Sequence, residues 1–183
     1  MIFEATPLAG CFVVLPEPIA DNRGFFARLY CSTAVAERGL KSRLDQISMS
    51  RNTRAGIVRG LHLQRPPHAE AKLVRVTAGA IFDVAVDVRR GSPTYGRWYG
   101  TELSAANHRQ LYIPEGFAHG FQTLSDVAEV AYHITAAYAP AHADGLRWDD
   151  KDLAIRWPDP EAAVLSERDA ALGALAQFEA VTC

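Results

Sequence analysis

At 183 residues, with 49% hydrophobic and 22% charged side chains, the chain is long enough for one domain (1–183) with a sizeable core, and its composition is that of an ordinary globular protein. A formal charge of -2 argues against sequence-independent nucleic-acid binding, and no apolar run is long enough to cross a bilayer. Cys11, Cys31 and Cys183 are too few and too scattered for a disulfide framework or a zinc motif, so reduced thiols and a cytoplasmic setting are expected, with no nucleic-acid or membrane partner.

The chain opens on Met1-Ile2-Phe3-Glu4, which lacks the basic and long apolar stretches of a signal peptide. Ser32 to Gly39 reads as a short helix, with Ser32 as N-cap and Gly39 just past the C-terminus. From about residue 44 to 138 the texture becomes β-rich. Leu73 to Thr77, Ile81 to Val88, Gln110 to Ile113 and Glu129 to Ala136 are bounded by Gly- and Pro-containing turns, which predicts a sandwich or barrel. In Ile81 to Val88, alternation places Phe82, Val84, Val86 and Val88 on one face and Asp83, Ala85 and Asp87 on the other, as a partly polar interior would require. Leu146 to Pro158 holds Trp148 and Trp157 among acidic residues. Ser166 then starts a predicted helix through Ala170 to Phe178, and Ser166 and Asp169 have the spacing of a capping box.

Two histidines stand out. His62 lies in Arg59-Gly60-Leu61-His62-Leu63-Gln64 and His119 in Ile113-Pro114-Glu115-Gly116-Phe117-Ala118-His119-Gly120-Phe121, each within an apolar, glycine-flanked run. Burying an imidazole is costly unless its nitrogens are bonded, so two of them on separate strands point to a built site. Histidines 68, 108, 133 and 142 lie in polar or turn-rich contexts and read as surface residues. Lys72 opens a strand, where lysines are commonly solvated, and Tyr132 and Tyr138 flank another strand, where a rim position with a wet hydroxyl is the plain alternative. A metal reading finds only an incomplete set: His62-x-Gln64 lacks one imidazole of the His-x-His pair of metal-binding cupin barrels, leaving Glu70 and His119 to complete it. An acid–base reading has two imidazoles, two carboxylates (Asp83 and Asp169) to orient them, a lysine for an oxyanion and a tyrosine for a proton. That inventory suits proton abstraction beside a carbonyl, and residue types alone do not single out that reaction.

Further collinear stretches carry a resemblance: Asp21-Asn22-Arg23-Gly24-Phe25-Phe26, Lys72-Leu73-Val74-Arg75, Phe82 to Asp87, Ser92 to Trp98, Asn107 to Leu111, Trp148-Asp149-Asp150, Ile155 to Pro158 and Leu165 to Asp169, together with the two His segments. Over nearly its whole length the chain resembles the dTDP-4-dehydrorhamnose 3,5-epimerases. The resemblance implies a mainly β, cupin-type double-stranded β-helix (jelly-roll) barrel with short flanking helices. It also implies an epimerase acting at C3 and C5 of a nucleotide-linked 4-keto-6-deoxy sugar without metal or cofactor. On the matching positions, His62 would be the base paired with Asp169, His119 would form a second dyad with Asp83, Lys72 would face the C4 carbonyl, and Tyr132 would be the acid. Arg59 would bind the diphosphate and Tyr138 would lie at the rim. A homodimer is implied in which an N-terminal strand crosses over, so that Arg23 and Phe26 enter the neighbour's nucleotide pocket.

The departures from the family pattern cluster at the nucleotide end. Arg28 stands where a Glu is common, Gln46-x-Ser48 replaces Gln-x-Asn, Arg168 replaces a Lys and Glu70 a Gln. Arg28, Gln46, Ser48 and Arg168 are expected on the substrate. An Arg donor suits the bare acceptor nitrogen of cytosine better than the N–H of thymine, so CDP, then GDP, is the expected alternative to dTDP. The rival readings are a 3- or 5-monoepimerase of such a sugar, a metal-dependent cupin oxygenase and a non-catalytic sugar-nucleotide binder.

Overall fold

The computed structural model describes residues 1–182; Cys183 lies outside the described residues. Its strands, in chain order, are β1 (Ile2–Ala5), β2 (Phe12–Leu15), β3 (Ile19–Asp21), β4 (Gly24–Phe26), β5 (Gln46–Asn52), β6 (Val58–Gln64) and β7 (Lys72–Ala78). They continue with β8 (Ala80–Asp87), β9 (Trp98–Ser104), β10 (Gln110–Ile113), β11 (Phe117–Thr123), β12 (Ala128–Ile134) and β13 (Ala143–Gly145). Two antiparallel sheets face each other, ordered β1-β2-β10-β7-β12-β5 and β13-β6-β11-β8-β9. They remain two separate sheets, so the jelly roll is open and does not close into the expected barrel. Nor is it confined to residues 44–138: β1 and β2 pair with each other and, through β2, with β10, and β13 extends the second sheet beyond β6.

The period-two pattern sorts the side chains. Val74, Val76, Leu111, Ile113, Phe117, Phe121 and Val130 fill the space between the sheets. The outward residues of β8, Val84 and Val86 with Phe82, instead meet Leu146, Leu153 and Trp157 of the C-terminal segment. Burial on both faces of β8 explains why so much of this strand is apolar, and it leaves Asp83 and Asp87 as buried charges needing partners. Asp87 finds Arg89, Ser92 and Thr94, which hold its carboxyl below the usual range although burial pushes the other way.

Both predicted helices are shorter than their patterns suggested. α1 runs Ser32–Ala36, and its N-cap is Cys31 rather than Ser32, with no side-chain cap bond. Gly39 at φ 70° turns the chain away, as expected. α2 is only Glu167–Ala170, followed by a 3-10 turn at Leu175–Gln177, instead of one helix to Phe178. Tertiary ties decide this: the carbonyl of Gly173 accepts from the Arg147 N–H and the Leu175 N–H donates to Asp150, drawing the chain out of helical register.

Candidate active site

Gly60 and Gly120 let β6 and β11 approach closely. A Cβ on Gly60 would lie 2.5 Å from the Gly120 Cα and 2.7 Å from the His119 carbonyl oxygen, and Gly60 has φ 124°, where side chains are strained. This explains why glycine flanks both histidines. In the resulting register His62 and His119 are direct cross-strand partners on the inner face.

Each imidazole meets its own carboxylate. Asp83 lies opposite Phe121, diagonal to His119 on the same face, and its Oδ1 is 2.8 Å from His119 Nε2. Its Oδ2 is buried with no partner among the described residues. His62 Nε2 is 2.6 Å from Oδ1 of Asp169, brought across 107 residues by α2 packing on β6. Asp169 Oδ2 accepts the Gly60 N–H at 3.2 Å. Burial would raise this carboxyl, but the bond to His62, the charge of His62, the Gly60 N–H and the nearby Arg168 outweigh it and hold it below the usual range. The capping spacing is also explained: Ser166 Oγ accepts the Asp169 N–H at 3.1 Å, leaving the Asp169 carboxylate free for His62.

The facing sheet supplies the rest. Tyr132 points inward from β12, its ring 6.2 Å from that of His119 and its hydroxyl 2.9 Å from Ser50 Oγ. Burial, reinforced by the Asp83 charge, pushes the phenol well above its ordinary value, with the Ser50 bond and Arg59 offsetting part of the effect. Tyr132 is therefore a neutral donor at any physiological pH. Lys72 is buried rather than solvated, with Nζ 3.0 Å from Glu70 and 3.4 Å from the His62 carbonyl oxygen.

These groups line a cavity of about 520 Å³, the size of a small-molecule site. Of the residues singled out from the sequence, Gln46, Ser48, Arg59, His62, Glu70, Lys72, His119, Tyr132, Tyr138 and Arg168 reach it. Asp83 and Asp169 sit behind the histidines they bond. Arg59 is steadied by Asn52 at 2.8 Å, and Tyr138 is 58% exposed at the mouth. Arg23, Phe26 and Arg28 do not reach this cavity. Arg23 and Phe26 belong to the β3–β4 hairpin, a separate two-stranded sheet in which Arg23 pairs with its own neighbour Asp21 at 2.6 Å.

Three features escaped the sequence reading. Ser50 continues the inward row of Gln46 and Ser48 on β5, so alternation carried the signal. Asp144 enters from β13 held by Arg65 at 2.5 Å, and nothing local marks it. Gln64 is a clamp: its amide donates to the carbonyls of His68 and Ala137 and accepts the Ala139 N–H, pinning the loop that carries Tyr138. His133 corrects the surface assignment, being half-buried with an unpartnered Nδ1. The incomplete metal set is not assembled: Gln64 is committed to backbone groups and both imidazoles to carboxylates. Among the described residues no group of three His, Cys, Asp or Glu side chains is placed to hold a metal ion.

An open jelly roll whose inner faces gather two His–carboxylate dyads, an ammonium and a neutral phenol defines an acid–base site suited to a carbonyl compound. The family model described as dTDP-4-dehydrorhamnose 3,5-epimerase matches residues 5–177. The chain is 49% identical over 169 residues to the Pseudomonas aeruginosa dTDP-4-dehydrorhamnose 3,5-epimerase, covering 91% of this chain and 92% of that one. The crystal structure of the Elizabethkingia anophelis dTDP-4-dehydrorhamnose 3,5-epimerase superposes with a TM-score of 0.94 at 40% identity, over 96% of this chain and 97% of that one. That of the dTDP-6-deoxy-D-glucose-3,5-epimerase of Legionella pneumophila, in complex with dTDP-4-keto-L-rhamnose, does so at 0.92 and 40%, covering 99% and 97%. The chain belongs to the dTDP-4-dehydrorhamnose 3,5-epimerase family.

Proposed function

We propose that the chain is an isomerase that epimerises C3 and C5 of a dTDP-linked 4-keto-6-deoxy sugar. The observation that carries this reading is that His62 and Tyr132 enter one cavity from facing sheets, with the Lys72 ammonium beside them. A proton on carbon beside a ketone is far too weakly acidic for imidazole to remove unaided. Most of the barrier must therefore fall through stabilisation of the enolate oxygen as charge develops, and Lys72 is the donor for it. His62 removes the proton, and Asp169 fixes its tautomer and stabilises the imidazolium. The C–H electron pair moves into the enolate, with the ketone as electron sink. Tyr132 returns a proton from the opposite face, which inverts the centre. His119, held by Asp83, is taken as the second dyad; it is the cross-strand partner of His62, with its ring 6.2 Å from that of Tyr132.

Arg59, with Arg168, is assigned to the diphosphate; Gln46 and Ser48 complete the substrate contacts, and Tyr138 covers the rim. The names of the relatives favour dTDP over the CDP or GDP expected from Arg28 and Ser48, and do not favour an oxygenase or a non-catalytic binder.

One domain, assembled as a homodimer, is the working unit of this proposal. Supporting it, Ile19 and Phe26 of the hairpin, with Ile47 and Met49 on the outward face of edge strand β5, are between 63% and 73% exposed, an apolar surface without cover in a single chain. The hairpin's Arg23 and Phe26, with Arg28 just beyond, would then complete the partner's nucleotide site. Cytoplasmic residence fits the free thiols of Cys11 and Cys31.

Deuterium wash-in from solvent tests the reading. Mass and NMR analysis of dTDP-4-keto-6-deoxyglucose incubated with the enzyme should show label at both C3 and C5. His62→Ala should abolish both while leaving dTDP affinity near normal; retained exchange in that variant rejects the assigned base.

A further inference from the structure

Glu70 lies two residues before Lys72, the first residue of β7, and both side chains line the cavity. Lys72 Nζ lies 3.0 Å from Glu70 Oε1, with the two side chains only 10% and 8% exposed. An ammonium has three donors. One serves Glu70 and one the His62 carbonyl oxygen; the third has no acceptor among the described residues. A carboxylate offers about four acceptor sites and no donor. Among the described residues Lys72 is the single partner of the Glu70 carboxylate, although the side chain is more than nine-tenths buried. A group so sheltered from water and so thinly bonded is suited to a donor arriving with a ligand.

The cavity wall thus presents an unsatisfied donor beside an unsatisfied acceptor. Their complement is an acceptor and a donor on neighbouring atoms of the ligand, which is an α-hydroxyketone. On a 4-keto-6-deoxy sugar only the C3 side meets this demand, because C3 bears a hydroxyl and C5 a methyl group. We propose that Glu70 accepts a hydrogen bond from the C3 hydroxyl while Lys72 holds the C4 oxygen, so that the pair reads the hydroxyketone and sets which ring carbon faces which wall. The proposal rests on the epimerase reading above and adds Glu70 to it as a specificity-determining residue. A lone carboxylate beside a developing enolate would oppose the reaction; paired with Lys72 it leaves that wall near neutral, so recognition rather than acceleration is its role.

The test compares C5 deuterium exchange on dTDP-4-keto-6-deoxyglucose and on its 3-deoxy counterpart, dTDP-4-keto-3,6-dideoxyglucose, in the wild-type enzyme, Glu70→Met and Glu70→Ala. A charge-assisted hydrogen bond to a substrate hydroxyl predicts that the wild type prefers the 3-hydroxy compound by about tenfold or more in kcat/KM. In both variants the preference should shrink to within about threefold, through a higher KM for the hydroxy compound. A merely structural role for Glu70 would slow both compounds alike and keep their ratio, and that result overturns the proposal. Equal use of the two compounds by the wild type overturns it without need of any variant. Absence of C5 exchange from both compounds in the wild type would instead reject the epimerase reading itself, and this inference with it.

Discussion

His62 and His119 face each other directly across β6 and β11, yet each gives its Nε2 to a different carboxylate, Asp169 for one and Asp83 for the other. Two imidazoles at such close quarters disfavour double protonation unless each has its own counter-charge. The two dyads place a carboxylate beside each ring.

Replacing Asp169 by Asn keeps the shape and removes the charge that stabilises a protonated His62. A fall in kcat of roughly 10²–10⁴-fold is expected, with KM changing little. Ser166→Ala is the matched control. It removes only the bond to the Asp169 N–H, and should lower stability by about 1 kcal/mol while leaving kcat within about threefold. Steady-state kinetics and urea unfolding on both variants check the pair; equal catalytic damage would contradict a separate role for the carboxylate.

Gly60→Ala forces a Cβ against the backbone of Gly120 and His119 at a φ that alanine rarely adopts. A loss of at least about 2 kcal/mol is expected, because strain and overpacking add. Since the displaced atoms carry His119, exchange activity should fall in the fraction that still folds. A thermal midpoint equal to that of the wild type would show that the strands can part without cost.

Burial raises the Tyr132 phenol, so it stays protonated through pH 10. Tyr132→Phe should therefore lower the inversion rate by roughly 10²-fold or more without moving any alkaline limb of the pH–rate profile below pH 10. The same group carries a stability signature. With the folded value above the unfolded one, its contribution is fully present below about pH 10 and is lost as the pH rises through the folded value. Loss of an alkaline limb near neutrality in the Phe variant would count against this assignment.

His133 titrates low, chiefly through burial, with Arg75 adding to the effect and a hydrogen bond donated by the ring to the Leu73 backbone opposing it. The folded value lies below the unfolded one, so the stability it confers is complete above about pH 6.5 and drains away as the pH falls through the folded value. His133→Phe should flatten the fall in the urea midpoint between pH 7.5 and pH 5. An unchanged slope would place the acid sensitivity in that range elsewhere.

The uncovered apolar residues give the dimer a direct test. Ile47→Asp and Phe26→Ser should each shift sedimentation toward the monomer, and Phe26→Ser should also weaken dTDP binding if the hairpin completes the partner's site. Sedimentation velocity with dTDP titration separates the two effects; a wild type that is monomeric at micromolar concentration defeats both.

Much of this protein is written locally. Alternation along β8 foretold which of its residues turn inward, and the glycine-flanked histidine segments marked His62 and His119 before any fold was known, because side-chain direction in a strand depends only on its neighbours. The carbonyl-directed chemistry became legible through collinear family motifs rather than through spacing. Pairing lay beyond local reach. Asp169 meets His62 across 107 residues, and the Ser166 spacing explains only the backbone half of its bonding. The helix expected to run to Phe178 stops at Ala170 because Arg147 and Asp150 capture the chain that follows. Lys72, by its type and position an ordinary solvated strand end, is buried against Glu70 once two sheets close over it. Residue type and period set which way each side chain points; which group it meets there depends on strand register and sheet packing, and those are summed over contacts distant in the chain.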